Sequence, residues 1–163
     1  MERNRLTHID RDGNAIMVDV SEKKETTRQA TASGRITLQP ETFNAVREGA
    51  IKKGNVLGTA QVAGIMGTKR TGELIPMCHP LFLEKSTVTF VEHEETSEIE
   101  VICTAKVTGK TGVEMEALTG VTVALLTIYD MCKGMDKEMT IHSVMLLEKT
   151  GGKSGHYQRK TKE

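Results

Sequence analysis

Aromatic side chains are scarce in this 163-residue chain, which has no tryptophan, two tyrosines and three phenylalanines. Proteins that bind single-stranded nucleic acid usually stack the bases on aromatic side chains. A basic excess is also absent, because 22 lysines and arginines are balanced by 22 aspartates and glutamates. General nucleic-acid binders carry a net positive charge. The composition therefore argues against a nucleic-acid partner, and it leaves the aliphatic residues and methionine to build the core.

Cysteines and long apolar runs are also few. The three cysteines, Cys78, Cys103 and Cys132, are odd in number and widely spaced. This pattern favours packed, reduced thiols in a cytoplasm over a disulfide framework. No apolar run approaches the ~20 residues of a membrane span, and the N-terminus lacks the apolar core of a signal peptide. We therefore expect a cytoplasmic protein with no membrane partner.

The hydrophobic patterning predicts one α+β domain over residues 34–150. Residues 1–33 are polar and predict a flexible N-terminal arm that contributes to the site, and residues 151–163 predict a mobile basic tail. The expected elements are a strand at 35–38, helices at 40–49 and 56–69, a hairpin of strands at 86–92 and 99–107, a helix at 110–133 and a strand at 139–147. This order indicates a ferredoxin-like antiparallel sheet covered by helices.

The predicted helix 110–133 is apolar through its middle and charged only at its ends. Glu114 and Glu116 fall in the first turn, where the helix dipole favours them, whereas Asp130 lies near the unfavourable end. Lys133 is one turn away, at a spacing that lets it face Asp130. A helix that is apolar most of the way round is usually buried on several sides, so we infer a two-fold subunit interface.

The two charged ends of this helix are too far apart for one small site within one chain. Asp130 is fourteen positions after Glu116, which corresponds to roughly 21 Å along the axis. Two such helices packed antiparallel across a two-fold axis would bring the Glu116 end of one copy near the Asp130 end of the other. A long polyanionic ligand could span part of the gap.

Two glycine-lysine pairs suggest a P-loop, but neither has the required spacing. They are Gly109–Thr111 and Gly152–Ser154, and the leading glycine of the motif is replaced by Thr104 and by Leu147. We therefore interpret Lys110 as a capping-loop residue at the N-terminus of the predicted helix. Among the remaining lysines, Lys53 and Lys69 are the more interesting, because they lie beside glycines where a backbone can approach a ligand.

The Cys78–His79 pair raises the question of a metal site. The chain has no Cys-x-x-Cys and no clustered second pair, so zinc spacing is absent and no metal site is predicted. Pro76 and Pro80 flank His79 and restrict the backbone on both sides. The residues alone leave a ligand-facing imidazole and an ordinary structural loop equally open.

Four separated blocks then carry a resemblance to a known family. They are residues 74–81 (LIPMCHPL), 108–119 (TGKTGVEMEALT), 127–133 (TIYDMCK) and 151–155 (GGKSG), and residues 17–21 and 69–71 also fit. Together they resemble the cyclic pyranopterin monophosphate synthases, the MoaC family of molybdenum cofactor biosynthesis. The resemblance extends from about residue 7 to 155.

The resemblance implies a lyase with ferredoxin-like subunits. Members convert (8S)-3',8-cyclo-7,8-dihydroguanosine 5'-triphosphate to cyclic pyranopterin monophosphate and diphosphate, and they assemble as homohexamers, trimers of dimers with active sites at the dimer interface. The catalytic residues fall on Asp130 and Lys133. The substrate-binding residues fall on Met77, Cys78, His79, Met115 and Glu116, with further pocket positions on Arg28, Lys53, Lys69 and Glu114. Met77 departs from the leucine that is common in the family.

The expected chemistry is acid–base work by Asp130 and Lys133, and a partly buried lysine can have its pKa lowered for that purpose. The basic residues would neutralise the triphosphate. No resident cofactor is expected, although a divalent metal could accompany the triphosphate. The alternative is a non-catalytic oligomeric nucleotide sensor, in which Asp130 and Lys133 form a structural ion pair.

Overall fold

The computed structural model describes residues 8–10 and 12–160. Its sheet has five antiparallel strands in the order β2-β3-β1-β4-β5. The strands are β1 Thr26–Thr37, β2 Lys85–His93, β3 Glu98–Gly109, β4 Thr140–Thr150 and β5 Tyr157–Gln158, and the helices are α1 Pro40–Arg47, α2 Val56–Lys69, α3 Thr71–Leu74 and α4 Glu114–Cys132. The β-α-β-β-α-β order with β1 at the centre of the sheet confirms the predicted ferredoxin-like α+β fold.

One face of the sheet is covered by helices. α4 lies across β1, β3 and β4, and α2 packs beside α4 and against β2. Glycine permits the closest approaches: a Cβ atom on Gly34 would lie 2.8 Å from a methyl of Val121, and one on Gly64 would lie 2.9 Å from the carbonyl oxygen of Gly120. The helices therefore sit directly on small residues of the sheet and of each other.

The length and hydropathy of α4 would also suit a membrane span, but half of its most apolar window is buried inside the protein. Ala117, Val121, Ala124, Leu125 and Ile128 are fully buried in the core beneath it. These contacts are those of a core helix.

Two predicted boundaries are wrong. The strand expected at 35–38 begins at Thr26, so residues 26–33 belong to the central strand and not to the N-terminal arm. Its residues on the helix side are small, notably Ala30 and Ala32, and they lack the large apolar side chains by which strands are recognised. The described part of the predicted mobile tail returns to the sheet at Tyr157–Gln158, which pairs with β4, and residues 161–163 lie outside the described residues.

Smaller differences concern the helices. α4 begins at Glu114 and not at 110, after a loop that includes Lys110. The residues directly after α2, Thr71–Leu74, form the separate short helix α3. α2 has the predicted bounds, and the hairpin of β2 and β3 turns at Glu94–Thr96, inside the predicted connection.

Candidate active site

The C-terminal end of α4 carries a carboxylate between two lysines. Asp130 lies in the last turn, and Lys133 follows as the C-cap. The Nζ atom of Lys133 is 2.7 Å from Oδ1 of Asp130, and Nζ of Lys53, in the turn before α2, is 3.2 Å from Oδ2. Lys53 also donates to the carbonyl oxygen of Asp130 at 2.7 Å, which satisfies an orphan acceptor of the helix end. The predicted facing of Asp130 and Lys133 is confirmed.

This carboxylate–lysine group is exposed, and the hydrogen bonds within it favour the charged form of each member. The side chains of Asp130, Lys133 and Lys53 are 59%, 54% and 49% exposed. Hydrogen bonds from Lys133 and Lys53 lower the pKa of Asp130, and the bond to Asp130 raises the pKa of Lys133. In the single chain, therefore, the pKa of Lys133 is raised and not lowered as expected, because little desolvation opposes the charge of the neighbouring carboxylate.

A cavity of about 290 Å³ lies at the other end of α4, and we call it the His79 cavity. The loop after α3 contributes Met77, Cys78 and His79, and the first turn of α4 contributes Glu114, Met115 and Glu116. The remaining lining residues are His8, Val18, Val20, Lys23, Leu81, Thr111 and Gly112. All three predicted loop residues and all three predicted helix residues therefore meet here.

The N-terminal segment crosses this cavity and is held by two side chains. His79 Nε2 donates to the carbonyl oxygen of Val18 at 2.8 Å. Lys110 Nζ donates to the carbonyl oxygen of Ser21, also at 2.8 Å. The residues Val18, Val20 and Lys23 thereby form one wall of the cavity.

Glu116 is the buried titratable group of the His79 cavity. It is 3% exposed, and desolvation raises its pKa from 4.5 to about 7. Desolvation likewise raises the pKa of the Cys78 thiol. Near neutral pH a large fraction of Glu116 is thus protonated, so this side chain can donate as well as accept a hydrogen bond.

A second cavity, of about 190 Å³, adjoins the first and is dominated by cations; we call it the Arg28 cavity. Its basic residues are Lys23, Arg28, Lys110 and Lys149, and its acidic residue is Glu114. The other lining residues are Gln29, Thr111, Gly112, Val113, Thr150, Gly151 and Ser154. Lys149 pairs with Glu114 at 2.7 Å, which leaves three cations without a carboxylate among the lining residues. The cavity suits a polyanion.

The site residues predicted from the sequence thus form two groups. Lys53, Asp130 and Lys133 lie at one end of α4, and Arg28 and the residues of the His79 cavity lie at the other. Lys69 is exposed at the end of α2 and lines neither cavity. Sequence reasoning missed Lys23 and Lys149 and set Lys110 aside as a loop residue. Lys149 is on a strand and Lys23 in a polar segment, so no local pattern distinguished them from surface lysines.

No cluster of three or more His, Cys, Asp or Glu side chains suited to a metal ion occurs within residues 8–10 and 12–160. A metal that arrives with a triphosphate would need no such cluster, so that expectation remains a prediction.

The fold and the two cavities define an α+β protein with a cation-lined cavity and, one helix length away, a carboxylate–lysine group. The family model of the MoaC family matches residues 17–152. Curated relatives named cyclic pyranopterin monophosphate synthase include those of Desulfitobacterium hafniense (59% identical, covering 94% of each chain), Heliobacterium modesticaldum (57%, covering 94% of this chain and 97% of the relative) and Clostridium acetobutylicum (54%, covering 94% and 96%). The chain belongs to the MoaC family.

Proposed function

We propose that this protein is a cyclic pyranopterin monophosphate synthase. It converts (8S)-3',8-cyclo-7,8-dihydroguanosine 5'-triphosphate to cyclic pyranopterin monophosphate and diphosphate, a lyase step of molybdenum cofactor biosynthesis. The observation that carries the proposal is the Asp130 carboxylate held between Lys53 and Lys133. Relatives that bear this name cover almost the whole chain.

The Arg28 cavity is the proposed place for the triphosphate. Lys23, Arg28 and Lys110 lie around it, and charge-assisted hydrogen bonds from such groups to phosphate are among the stronger ones in proteins. They would also stabilise the charge on the leaving diphosphate as the α-phosphate is attacked.

The His79 cavity is the proposed place for the guanine-derived ring. Its walls combine apolar groups, such as Met77 and Met115, with the polar groups of His79 and Glu116. This mixture is typical of sites that bind a flat, polar ring. Glu116, with a pKa of about 7, can donate a hydrogen bond to one edge of the ring in its protonated form.

Asp130 and Lys133 are the proposed acid–base pair for opening and rebuilding the ring. In one chain this pair is about half exposed to water, where ion pairs are weak. Covering the pair would make proton transfer easier, because desolvation disfavours the charged forms. The pair therefore needs a partner surface or the substrate on top of it.

A second copy of the chain is the proposed partner. No charged residue occurs between Glu116 and Asp130 on α4, or on α2 before Lys69, and Val62, Met66 and Leu126 on these helices are exposed. Surface helices normally carry charge on their outer face. An antiparallel, two-fold pairing of this layer would place Asp130 of one copy near the His79 cavity of the other.

The remaining finer proposals follow the family resemblance. Three such dimers form a homohexamer, and the protein acts in the cytoplasm. Sedimentation of the purified protein checks the assembly: a mass of six chains is the expected result, and a mass of two chains would contradict the hexamer.

Turnover of the cyclised triphosphate, measured as release of diphosphate, tests the function. We expect Lys133→Ala to abolish release while the protein keeps its assembly state. Normal turnover by Lys133→Ala would refute the assignment. A nucleotide sensor would instead bind the triphosphate without releasing diphosphate, and it would need no carboxylate beside the lysines.

Complementation tests whether two chains share a site. His79→Ala and Lys133→Ala are each expected to be inactive, because each removes one half of the site. Unfolded together in equal amounts and refolded, they should regain about a quarter of the wild-type activity, since random pairing gives mixed dimers with one intact site each. A mixture that remains inactive, although mixed dimers are detected by mass, would show that each site lies within one chain.

A further inference from the structure

The segment after β4 folds back against the Arg28 cavity. Gly151 and Gly152 have φ values of +89° and +74°, in the left-handed region that favours glycine. The turn is closed by Gly155 N–H donating to the carbonyl oxygen of Gly152 at 3.2 Å. We call residues Gly151–Gly155 the return turn.

The return turn packs on Arg28. A Cβ atom on Gly152 would overlap Nη1 of Arg28 and would lie 2.8 Å from its Cζ. A Cβ atom on Gly151 would overlap the carbonyl oxygen of Thr27. The absence of side chains at these two positions therefore lets the turn lie directly on the guanidinium group and on the strand that carries it.

The other side of the guanidinium is fixed by β3 and the loop after it. Arg28 Nε donates to the carbonyl oxygen of Gly109 at 3.0 Å, and Nη2 donates to that of Lys110 at 3.3 Å. The group is thus held between two backbone carbonyls and Gly152. A planar guanidinium group that is fixed in this way presents its remaining N–H donors in one direction.

β5 holds the return turn in place. Tyr157 pairs with Lys149, and Arg159 N–H donates to the carbonyl oxygen of Leu147 at 2.7 Å. His156 Nε2 lies 2.7 Å from a carboxylate oxygen of Glu148. These contacts bridge the two ends of a connection that has no other regular structure.

We propose that the return turn, anchored by β5, is a positioning element that fixes the guanidinium group of Arg28 for binding the triphosphate. The proposal rests on the proposed function, because it takes the Arg28 cavity as the place of the triphosphate. It assigns the C-terminal segment a part in substrate affinity.

Gly152→Ala tests the proposal, with Gly155→Ala as its matched control. Gly155 also has a positive φ, +67°, but a Cβ atom there would meet nothing within 4 Å, so both variants strain the backbone and only one touches Arg28. The probe is inorganic triphosphate, and its binding is measured by calorimetry at fixed salt. We expect Gly152→Ala to weaken binding about tenfold, the loss of roughly one charge-assisted hydrogen bond, and Gly155→Ala to change it less than about twofold.

The Arg28→Ala background separates positioning from general damage to the fold. There, Gly152→Ala should weaken binding no further, because the group that it displaces is gone. An undiminished effect in that background, or equal effects of Gly152→Ala and Gly155→Ala, would overturn the proposal. A wild-type protein that does not bind triphosphate would overturn it as well.

Truncation after Gly155 provides a second variant, which adds no atom beside Arg28. It lacks β5, so the return turn loses its anchor, and we expect weaker triphosphate binding and a raised KM with a smaller change in kcat. Unchanged affinity would contradict the anchoring role of β5. If the wild type releases diphosphate normally while Gly152→Ala keeps its KM, the positioning role fails and the proposed function stands. If the wild type binds triphosphate but releases no diphosphate, the proposed function fails, and the binding comparison still decides the positioning role.

Discussion

Glu116→Gln should change how the stability of the protein depends on pH. The carboxyl group of Glu116 is 3% exposed, and desolvation, the largest cause, raises its pKa from 4.5 to about 7. Because the folded state binds this proton more tightly than the unfolded state, the wild-type protein loses stability as the pH rises from about 4.5 to about 7. Glutamine has nearly the same shape and never ionises, so the variant lacks this loss.

The magnitude follows from the pKa difference. Each pKa unit corresponds to about 1.4 kcal/mol, so ionised Glu116 costs about 3 kcal/mol of folding free energy above pH 7. For a chain of this length, that cost corresponds to roughly 6–12 °C in Tm. We therefore expect Glu116→Gln and wild type to unfold at similar temperatures at pH 4.5 and to diverge by up to this amount at pH 8, with the variant more stable.

Thermal unfolding monitored by circular dichroism between pH 4.5 and 8, at one fixed protein concentration, measures the effect. Glu95→Gln is the matched control, because it makes the same chemical change at an exposed residue of the turn between β2 and β3. A constant difference between Glu116→Gln and wild type across this range would refute the buried, raised-pKa carboxyl group.

Three further predictions concern the N-terminal segment, the thiols and the helix contact. His79→Ala and Lys110→Ala should each speed tryptic cleavage after Lys23 or Lys24 about fivefold, since each removes one hydrogen bond to the N-terminal segment. The control Lys85→Ala, on the edge strand β2, should leave the cleavage rate unchanged. Equal cleavage rates in all three variants would contradict these contacts. At pH 8, iodoacetamide should label Cys78 and leave Cys103 and Cys132 unlabelled, because burial raises the pKa of the Cys103 and Cys132 thiols to about 11. Mass spectrometry would detect the difference. Gly120→Ala should lower the free energy of unfolding, measured in urea, by about 1–3 kcal/mol, since the added Cβ atom would lie 2.7 Å from Cys103 Sγ. In the control Gly134→Ala the added Cβ atom would meet no atom within 4 Å, so the free energy of unfolding should change by less than about 0.5 kcal/mol.

Features that depend on short-range periodicity could be predicted from the sequence. The facing of Asp130 and Lys133 follows from the geometry of a helix, and the hairpin of β2 and β3 follows from alternation. The extent of β1 could not be predicted, because Ala30 and Ala32 owe their burial to α4 and not to their own hydrophobicity. The two residues of β5 are also too few and too polar to form a pattern.

The site depends on contacts between distant parts of the chain, which spacing cannot reveal. Lys53 reaches Asp130 across 77 positions, and Arg28 reaches the carbonyl group of Gly109 across 81. The family resemblance named these side chains as pocket residues, but it did not say what each one touches. The fold supplies that information because α2 and α4 run side by side, which brings the turn before α2 to the end of α4.

The first turn of α4 lies between the two cavities, and in the proposed function this arrangement would set the direction in which the substrate binds. Glu114 and Glu116 are two residues apart and so point about 200° apart around the helix. Glu114 lines the Arg28 cavity and pairs with Lys149, whereas Glu116 lines only the His79 cavity and is buried there. A triphosphate would be repelled by an unpaired carboxylate, and the pairing of Glu114 with Lys149 reduces that repulsion on the side where the cations lie. A neutral ring with hydrogen-bonding edges suits the side of Glu116, whose carboxyl group is partly protonated near neutral pH. The ligand that fits both cavities is therefore one with a polyanionic end and a polar ring, joined across the start of α4.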